Sequence, residues 1–261
     1  MKLHLTALVT AGLLISSAGH AQLADTVVAG SDIDVPASFA AAVASDRRPD
    51  DEKARDANRH PGKVMAFFGV EEGDTVAEIM TSGGYYVGVL SEIVGPRGTV
   101  YGHNNGWIMQ RQEDGRSPIA KRIDKVGHTN VVNLVGEIED PGLPEGELDA
   151  VFIVLIYHDM LGLFETDTAA ANAAIMKALK PGGVYGIIDH HAAPGAGLGA
   201  TRSVHRVERA AVVQDIMDAG FEFVAETDLL ENLDDDLSKS VFTPGTRGNT
   251  HRMVLKFRKP E

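Results

Sequence analysis

Residues 75 to 105, TVAEIMTSGGYYVGVLSEIVGPRGTVYGHNN, constrain this chain more than any other stretch. Thr75–Met80 is a short β-prone run with one acid, Glu78, inside it. Ser82-Gly83-Gly84 supplies a tight turn. Val87, Leu90 and Val94 then recur at helical spacing, with Ile93 beside them. Gly95-Pro96 ends that helix, and Gly98–Gly102 reads as a second strand. The product is a βαβ unit, the building block of parallel sheets whose ligands lie at the carboxyl ends of the strands.

The turn sets the chemistry. Glycines let a ligand approach the backbone, and the N–H groups that open a helix are unpaired donors at its positive end. A carboxylate or phosphate suits that place. About 20 residues on, the tip of the second strand would meet a ribose. Here that tip is His103-Asn104-Asn105.

Further strands are predicted at Asn130–Leu134, Leu148–Ile156, Val184–Asp189, Phe221–Glu226 and Thr250–Phe257, with helices over Pro118–Lys125 and Thr166–Leu179. One helix should start at Thr201 or Ser203 and run to Gly220, with Val204, Val207, Ala211 and Ile216 inward. Upstream, Asp50 to about Asn58 reads as one helix, with Arg47, Arg48, Arg55, Arg59 and His60 concentrated in and around it. The fold class is therefore α/β, a doubly wound, mostly parallel sheet of seven strands with one antiparallel strand near its edge.

Leu148–Ile156 is almost unbroken apolar sequence, the mark of a central strand covered on both faces. Tyr157-His158-Asp159 follows it directly, and His190-His191 tips the next strand. Polar residues in these places are the catalytic candidates: His158, Asp159, Tyr157 and His190. An imidazole there could act as a general base. The histidines and acids are also the donor types that zinc or iron takes. No metal site is assigned, because the spacing matches no helical His-x-x-x-His pattern and adjacent histidines on a strand face opposite ways.

Glu78…Ser82-Gly83-Gly84-Tyr85-Tyr86, the Leu148–Ile156 strand with Tyr157-His158-Asp159-Met160, Leu179-Lys180-Pro181-Gly182-Gly183, Asp189-His190-His191-Ala192 and the C-terminal Leu255–Pro260 together resemble the class I S-adenosylmethionine-dependent methyltransferases. Within that class they resemble a group of predicted secreted bacterial methyltransferases. The resemblance spans about residues 45 to 260. It implies adenosylmethionine as cofactor and a small-molecule methyl acceptor. It also implies cofactor contacts from Glu78, Thr81, Ser82, Gly83, Gly84 and Tyr85, from His103, Asn104 and Asn105, and from Glu137 and Ile138 beside the adenine, with Glu137 or Glu139 as the acid that meets the adenine amine. In the class, a segment like Arg47–His60 lies across the cofactor pocket. Two positions depart from the pattern. Met80 stands where the class has a glycine, and His103-Asn104-Asn105 replaces the acid that pairs with the ribose. No Asn/Asp-Pro-Pro-Tyr motif is present, so methylation of amino groups on bases or glutamine is not indicated. Two other functions compete: an exported metal- or histidine-dependent enzyme on this fold, and a non-catalytic small-molecule binder.

Residues 1–21 read as a secretory signal peptide, with Lys2, an apolar Leu5–Ile15 and small residues at Gly19 and Ala21. Residues 22–45 are then a flexible mature N-terminus and 46–261 the methyltransferase-like domain, in the periplasm or outside the cell. With no cysteine, neither lipid attachment nor a disulfide is available. Adenosylmethionine is made in the cytoplasm, so export requires a supply beyond the inner membrane. The formal charge of −13 argues against a nucleic-acid partner, and no membrane insertion is expected once the leader is removed. A homodimer is left open.

Overall fold

The structure, a computed structural model, describes residues 27–261. The predicted leader and its cleavage site lie outside the described residues. Eight strands form one sheet: β1 (Val27–Val28), β2 (Thr75–Ile79), β3 (Thr99–Asn104), β4 (Val131–Val135), β5 (Leu148–Val154), β6 (Leu179–His190), β7 (Glu222–Thr227) and β8 (Arg252–Arg258). Their order is β1-β7-β8-β6-β5-β2-β3-β4. Every pairing is parallel except those of β8 with β6 and β7. The seven predicted strands are all present; the two-residue β1 is the addition, placed at the edge beside β7.

Helices α1 (Ala37–Ala44), α2 (Asp50–Lys53), α3 (Asp56–Arg59) and α4 (Pro61–Phe68) precede β2, and α5 (Tyr85–Val94) links β2 to β3. A short α6 (Gly106–Met109) and α7 (Pro118–Val126) lead to β4. Then α8 (Tyr157–Gly162) and α9 (Thr168–Ala178) join β5 to β6, and α10 (Gly199–Val204) and α11 (Arg209–Asp218) join β6 to β7. From Val27 onward the N-terminal residues belong to the fold, since Phe39 and Ala42 of α1 are buried in the same core as α5.

The strand period of two divides the core into two layers. Val76, Phe152, Ile188 and Val254 point to the side holding Val87, Leu90 and Val94 of α5. Ala77, Ile153, Ile187 and Leu255, each the sequence neighbour of one of these, point to the side holding Ile175 and Ile216. β5 is buried on both faces, as its apolar run requires.

Two predicted helices are broken. The 50–58 stretch is α2 and α3, separated at Ala54–Arg55. The helix expected from Thr201 to Gly220 is α10 and α11. His205 takes φ +54°, which ends α10, and Val207 pairs with His191 as an isolated β-bridge. Between them Arg206 is fully buried and forms a two-pronged ion pair with Asp235, at 2.8 and 3.1 Å. That tertiary pair sets the local backbone where periodicity alone continues a helix. It also fixes the acidic 228–249 segment, where Val241 N–H donates to Val204 O and His251 N–H to Asp235.

Candidate active site

The glycine loop is closed by its own acid. The Glu78 carboxylate, at the end of β2, accepts from Thr81 Oγ1 at 2.5 Å and from Val87 N–H at 3.2 Å. It thereby satisfies one of the open donors at the start of α5. Burial pushes the Glu78 pKa up to about 7, against the opposing pull of the Thr81 bond and the Arg59 charge. The loop is left-handed at Met80, Ser82 and Gly84. At Gly84 the φ of +81° and the 2.7 Å that would separate a Cβ from Ile119 Cδ1 make glycine a requirement. Met80 is 2% exposed and belongs to the core cluster of Ile79, Ile108 and Ile138, and it also borders the cavity above the loop.

The tip of β3 builds the loop instead of facing a ligand. His103 is fully buried; its Nδ1 lies 3.4 Å from Met80 N and its Nε2 3.0 Å from Gly136 O. Burial lowers its pKa to about 4, so the ring is neutral, accepting at Nδ1 and donating at Nε2. Asn104 accepts from Ser82 N–H at 2.8 Å and donates to Ser82 O at 3.1 Å. Asn105 caps α6 through Ile108 N–H. None of the three lines either of the cavities described below. Ile138 is buried in the core, and Glu137 is exposed beside Gly106.

Two cavities open along the carboxyl edge of the sheet. One, of about 420 Å³, lies against the loop and is lined by Glu78, Thr81, Ser82, Gly83, Gly84 and Tyr85 among others. The second, of about 560 Å³, lies over His158, Asp159 and His190. They share Arg55, Arg59, Leu155 and Ile156, and so meet along one seam. Leu155 holds φ +58° there, a strained value for a side chain with Cβ.

His158 is the centre of the second cavity's floor. Its Nδ1 lies 2.7 Å from Asp189 Oδ1, and its backbone N–H donates to Asp189 Oδ2 at 2.8 Å. Its Nε2 lies 3.3 Å from Asp159 Oδ1, which His205 Nδ1 also reaches at 3.2 Å. Burial works against the imidazolium, but the charges of Asp189 and Asp159 and the Asp189 bond outweigh it, and the His158 pKa is raised. Asp189 is fully buried too, and contact with His158 and His190 holds its pKa below the ordinary carboxylate range. Burial, with the Asp189 charge, raises that of Asp159, and the two histidines oppose. His190 is neutral, its pKa lowered to about 3 by burial, and its Nδ1 pairs with Thr250 Oγ1 at 2.8 Å. One ligand atom each from His158, Asp159 and His205 lie within 4.8 Å of one another, a donor set that zinc would accept. Tyr157 does not join them. It is fully buried and donates to Asp215 at 2.6 Å while accepting from Asn172 at 2.9 Å, which braces α8 against α9 and α11.

No family model matches the chain. A curated protein-L-isoaspartate O-methyltransferase from Ignicoccus hospitalis is 30% identical over 118 residues, 44% of this chain and 46% of that protein. The chain thus matches about half the length of that relative. Among solved structures, a SAM-dependent methyltransferase from Aquifex aeolicus superposes with a TM-score of 0.59 at 21% identity, over 81% of this chain and 98% of that one. A sarcosine dimethylglycine methyltransferase from Galdieria sulphuraria, so assigned provisionally, gives 0.57 at 12% identity, over 80% and 88%. The chain has the Rossmann-like methyltransferase fold.

In this methyltransferase fold the residues lining the loop cavity could hold the methionine half of the adenosylmethionine expected from the sequence. A Cβ at Gly83 would meet nothing within 4 Å, so the loop is open towards the cavity. Arg55 and Arg59 stand over the Tyr85 ring at 4.8 and 4.5 Å, with no carboxylate within 4.0 Å among the described residues. They suit the carboxylate of the methionine portion. Helices α2 and α3 are held across the cavity by two ion pairs. Glu52 pairs with Arg122, and Arg48 pairs with Asp56, which also accepts from Tyr85 OH at 2.5 Å. The ribose is served less well, because the β3 tip is engaged within the fold. The cavity-lining arginines that sequence reasoning missed are Arg247 and Arg252, from the segment before β8 and from β8 itself. Their signal is the pairing of Arg252 with His190 across β6 and β8, a long-range register.

Proposed function

We propose that the chain is an adenosylmethionine-dependent methyltransferase acting on a small molecule. The observation that carries this reading is the pair of cavities meeting at Arg55, Arg59, Leu155 and Ile156. One is walled by the glycine loop, and the other is floored by His158 and Asp159. The Ignicoccus relative, an O-methyltransferase by name, supports the reaction class over the half that aligns. Fold alone would not, since a [4+2]-cyclase also superposes, with a TM-score of 0.54.

Bound in the loop cavity, adenosylmethionine supplies an electrophilic methyl group. Gly83, Arg55 and Arg59 would hold it, with Tyr85 beneath the two arginines. The chain's remaining tasks are to align the acceptor and to take its proton. His158 suits the second task. Asp189 fixes the ring by accepting from Nδ1–H, which leaves Nε2 towards the cavity. A proton taken at Nε2 is then stabilised by Asp159 at 3.3 Å. Because the pKa of His158 is raised, its basic form grows in as pH climbs above the ordinary value of 6.5. The binding step is tested by titration calorimetry of the purified protein with adenosylmethionine and adenosylhomocysteine. Micromolar binding of both is expected; no heat from either in folded protein overturns the proposal.

We also propose that residues 1–21 direct export, with cleavage after Ala21. Intact-mass measurement of the protein recovered from its host should give a chain beginning at Gln22. A chain retaining Met1–Ala21 refutes it.

A further inference from the structure

Eight of the fourteen arginines hold a carboxylate within 4.0 Å. The other six have none among the described residues, and four of those six, Arg55, Arg59, Arg247 and Arg252, line the cavity above His158. In a chain with a formal charge of −13 there are acids in plenty to pair with them. The only carboxylate in that lining is Asp159, and it is engaged by His158 and His205. The cavity wall is therefore cationic inside an acidic protein.

Arg252 makes the case specific. It is 7% exposed, and its Nε donates to Thr250 O at 3.3 Å and its Nη2 to Asn58 O at 2.5 Å. Its Nη1 donates to nothing among the described residues. A buried guanidinium satisfied only by carbonyls keeps most of its desolvation cost until an anion meets it. Arg59 lies close enough to add to that cost, since its charge, with burial, lowers the Arg252 pKa. Two like charges held near each other against one cavity are a site for a shared anion. The 228–249 segment that brings Arg247 to the wall is itself pinned by the buried Arg206–Asp235 pair, so this charge is placed by the fold.

We propose that the ligand of the second cavity is an anion, a small molecule whose carboxylate or phosphate group is held by Arg252 and Arg247 with Arg59 at the seam. The assignment of that ligand as the methyl acceptor rests on the methyltransferase reading; the anion site does not. The methyl-accepting atom lies at the other side of the ligand, over His158 and Asp159. Arg55 and Arg59 also line the loop cavity, where they suit the cofactor's own carboxylate. Arg247 and Arg252 do not line it, and they carry the distinction.

The test is calorimetric titration of inorganic phosphate and of succinate into the whole protein, with and without saturating adenosylhomocysteine. Binding of either anion to the adenosylhomocysteine-loaded protein is expected. Arg247→Glu should weaken it by roughly five-fold or more, a discounted value for a partly exposed charge pair. Arg247 is exposed, so this variant tests the site without removing the buried Arg252. Tighter phosphate than succinate points to a phosphate ester, and the reverse to a carboxylic acid. Anion binding that adenosylhomocysteine abolishes would assign the arginines to the cofactor and overturn the inference. So would no binding of either anion, or binding that Arg247→Glu leaves unchanged. Anion binding in a protein that takes no adenosylhomocysteine would sink the methyltransferase reading and leave the anion site standing.

Discussion

Replacing Asp189 by Asn should lower the pKa of His158 and cost stability chiefly at mildly acid pH. In the wild-type protein Asp189 is fully buried and accepts three bonds: from His158 Nδ1 at 2.7 Å, His158 N–H at 2.8 Å and His190 N–H at 2.6 Å. His158 is 3% exposed, so the pair is little screened by solvent. The two linked titrations set a window. The raised pKa of His158 adds stability that is complete below the ordinary value of 6.5 and is lost as pH rises through the folded value. The lowered pKa of Asp189 adds stability present above 3.8 and lost as pH falls through its folded value. The pair is therefore at full strength near pH 5.5. Asn keeps the shape and removes the charge, so burial, opposed now by the Asp159 charge without that of Asp189, lowers the pKa of the ring. Breaking a buried pair costs about 3–5 kcal/mol, and we expect about 3 kcal/mol at pH 5.5. At an alkaline pH above that folded value the ring is neutral in both proteins, and roughly 1 kcal/mol remains for the weakened hydrogen bonds. Urea unfolding at the two pH values measures the difference, and a histidine NMR titration reads the ring directly. Equal costs at both pH values, or a wild-type His158 that titrates at or below 6.5, would refute the reasoning.

Glu78 is a buried carboxyl shifted the other way from Asp189. Its pKa is raised from 4.5 to about 7, so wild-type stability declines as pH rises between those values. Glu78→Gln removes that dependence, and its stability relative to wild type should improve by roughly 3 kcal/mol from pH 4.5 to pH 8, at about 1.4 kcal/mol per pH unit. A difference independent of pH in urea unfolding would show that the carboxyl is not held in this way. Asp235→Ala leaves the fully buried Arg206 guanidinium without its carboxylate and His251 N–H without its acceptor. We expect a loss of about 3–5 kcal/mol, with faster amide exchange across 228–249; a loss below about 1 kcal/mol would mean that the pair does not anchor that segment.

The parts of this site legible in the sequence are those fixed by short-range rules. Glycine spacing locates the turn after β2, the apolar run of β5 locates a central strand, and both ends fall on the same sheet edge because strands joined by helical crossovers run parallel. Hence His158, Asp159 and His190 are found together. What sequence cannot convey is which way a polar strand tip turns. His103, Asn104 and Asn105 occupy the place where a ribose contact is expected, yet all three are spent on Met80, Ser82, Gly136 and Ile108. The reason lies in the loop. Met80 and Ser82 both hold a positive φ that a side chain disfavours, and such a backbone persists only when neighbours over-determine it. His103 and Asn104 supply those constraints, bonding Met80 N–H and both the N–H and C=O of Ser82. The departure of Met80 from the glycine pattern and the missing ribose acid are then one change seen at two places. A chain that puts side chains in a left-handed loop needs polar struts beneath it, and the β3 tip, directly adjacent in the sheet, is where those struts can stand. The arginines on the opposite wall were illegible for the complementary reason. Arg252 meets His190 only because β8 inserts antiparallel beside β6, a register set by two strands more than sixty residues apart.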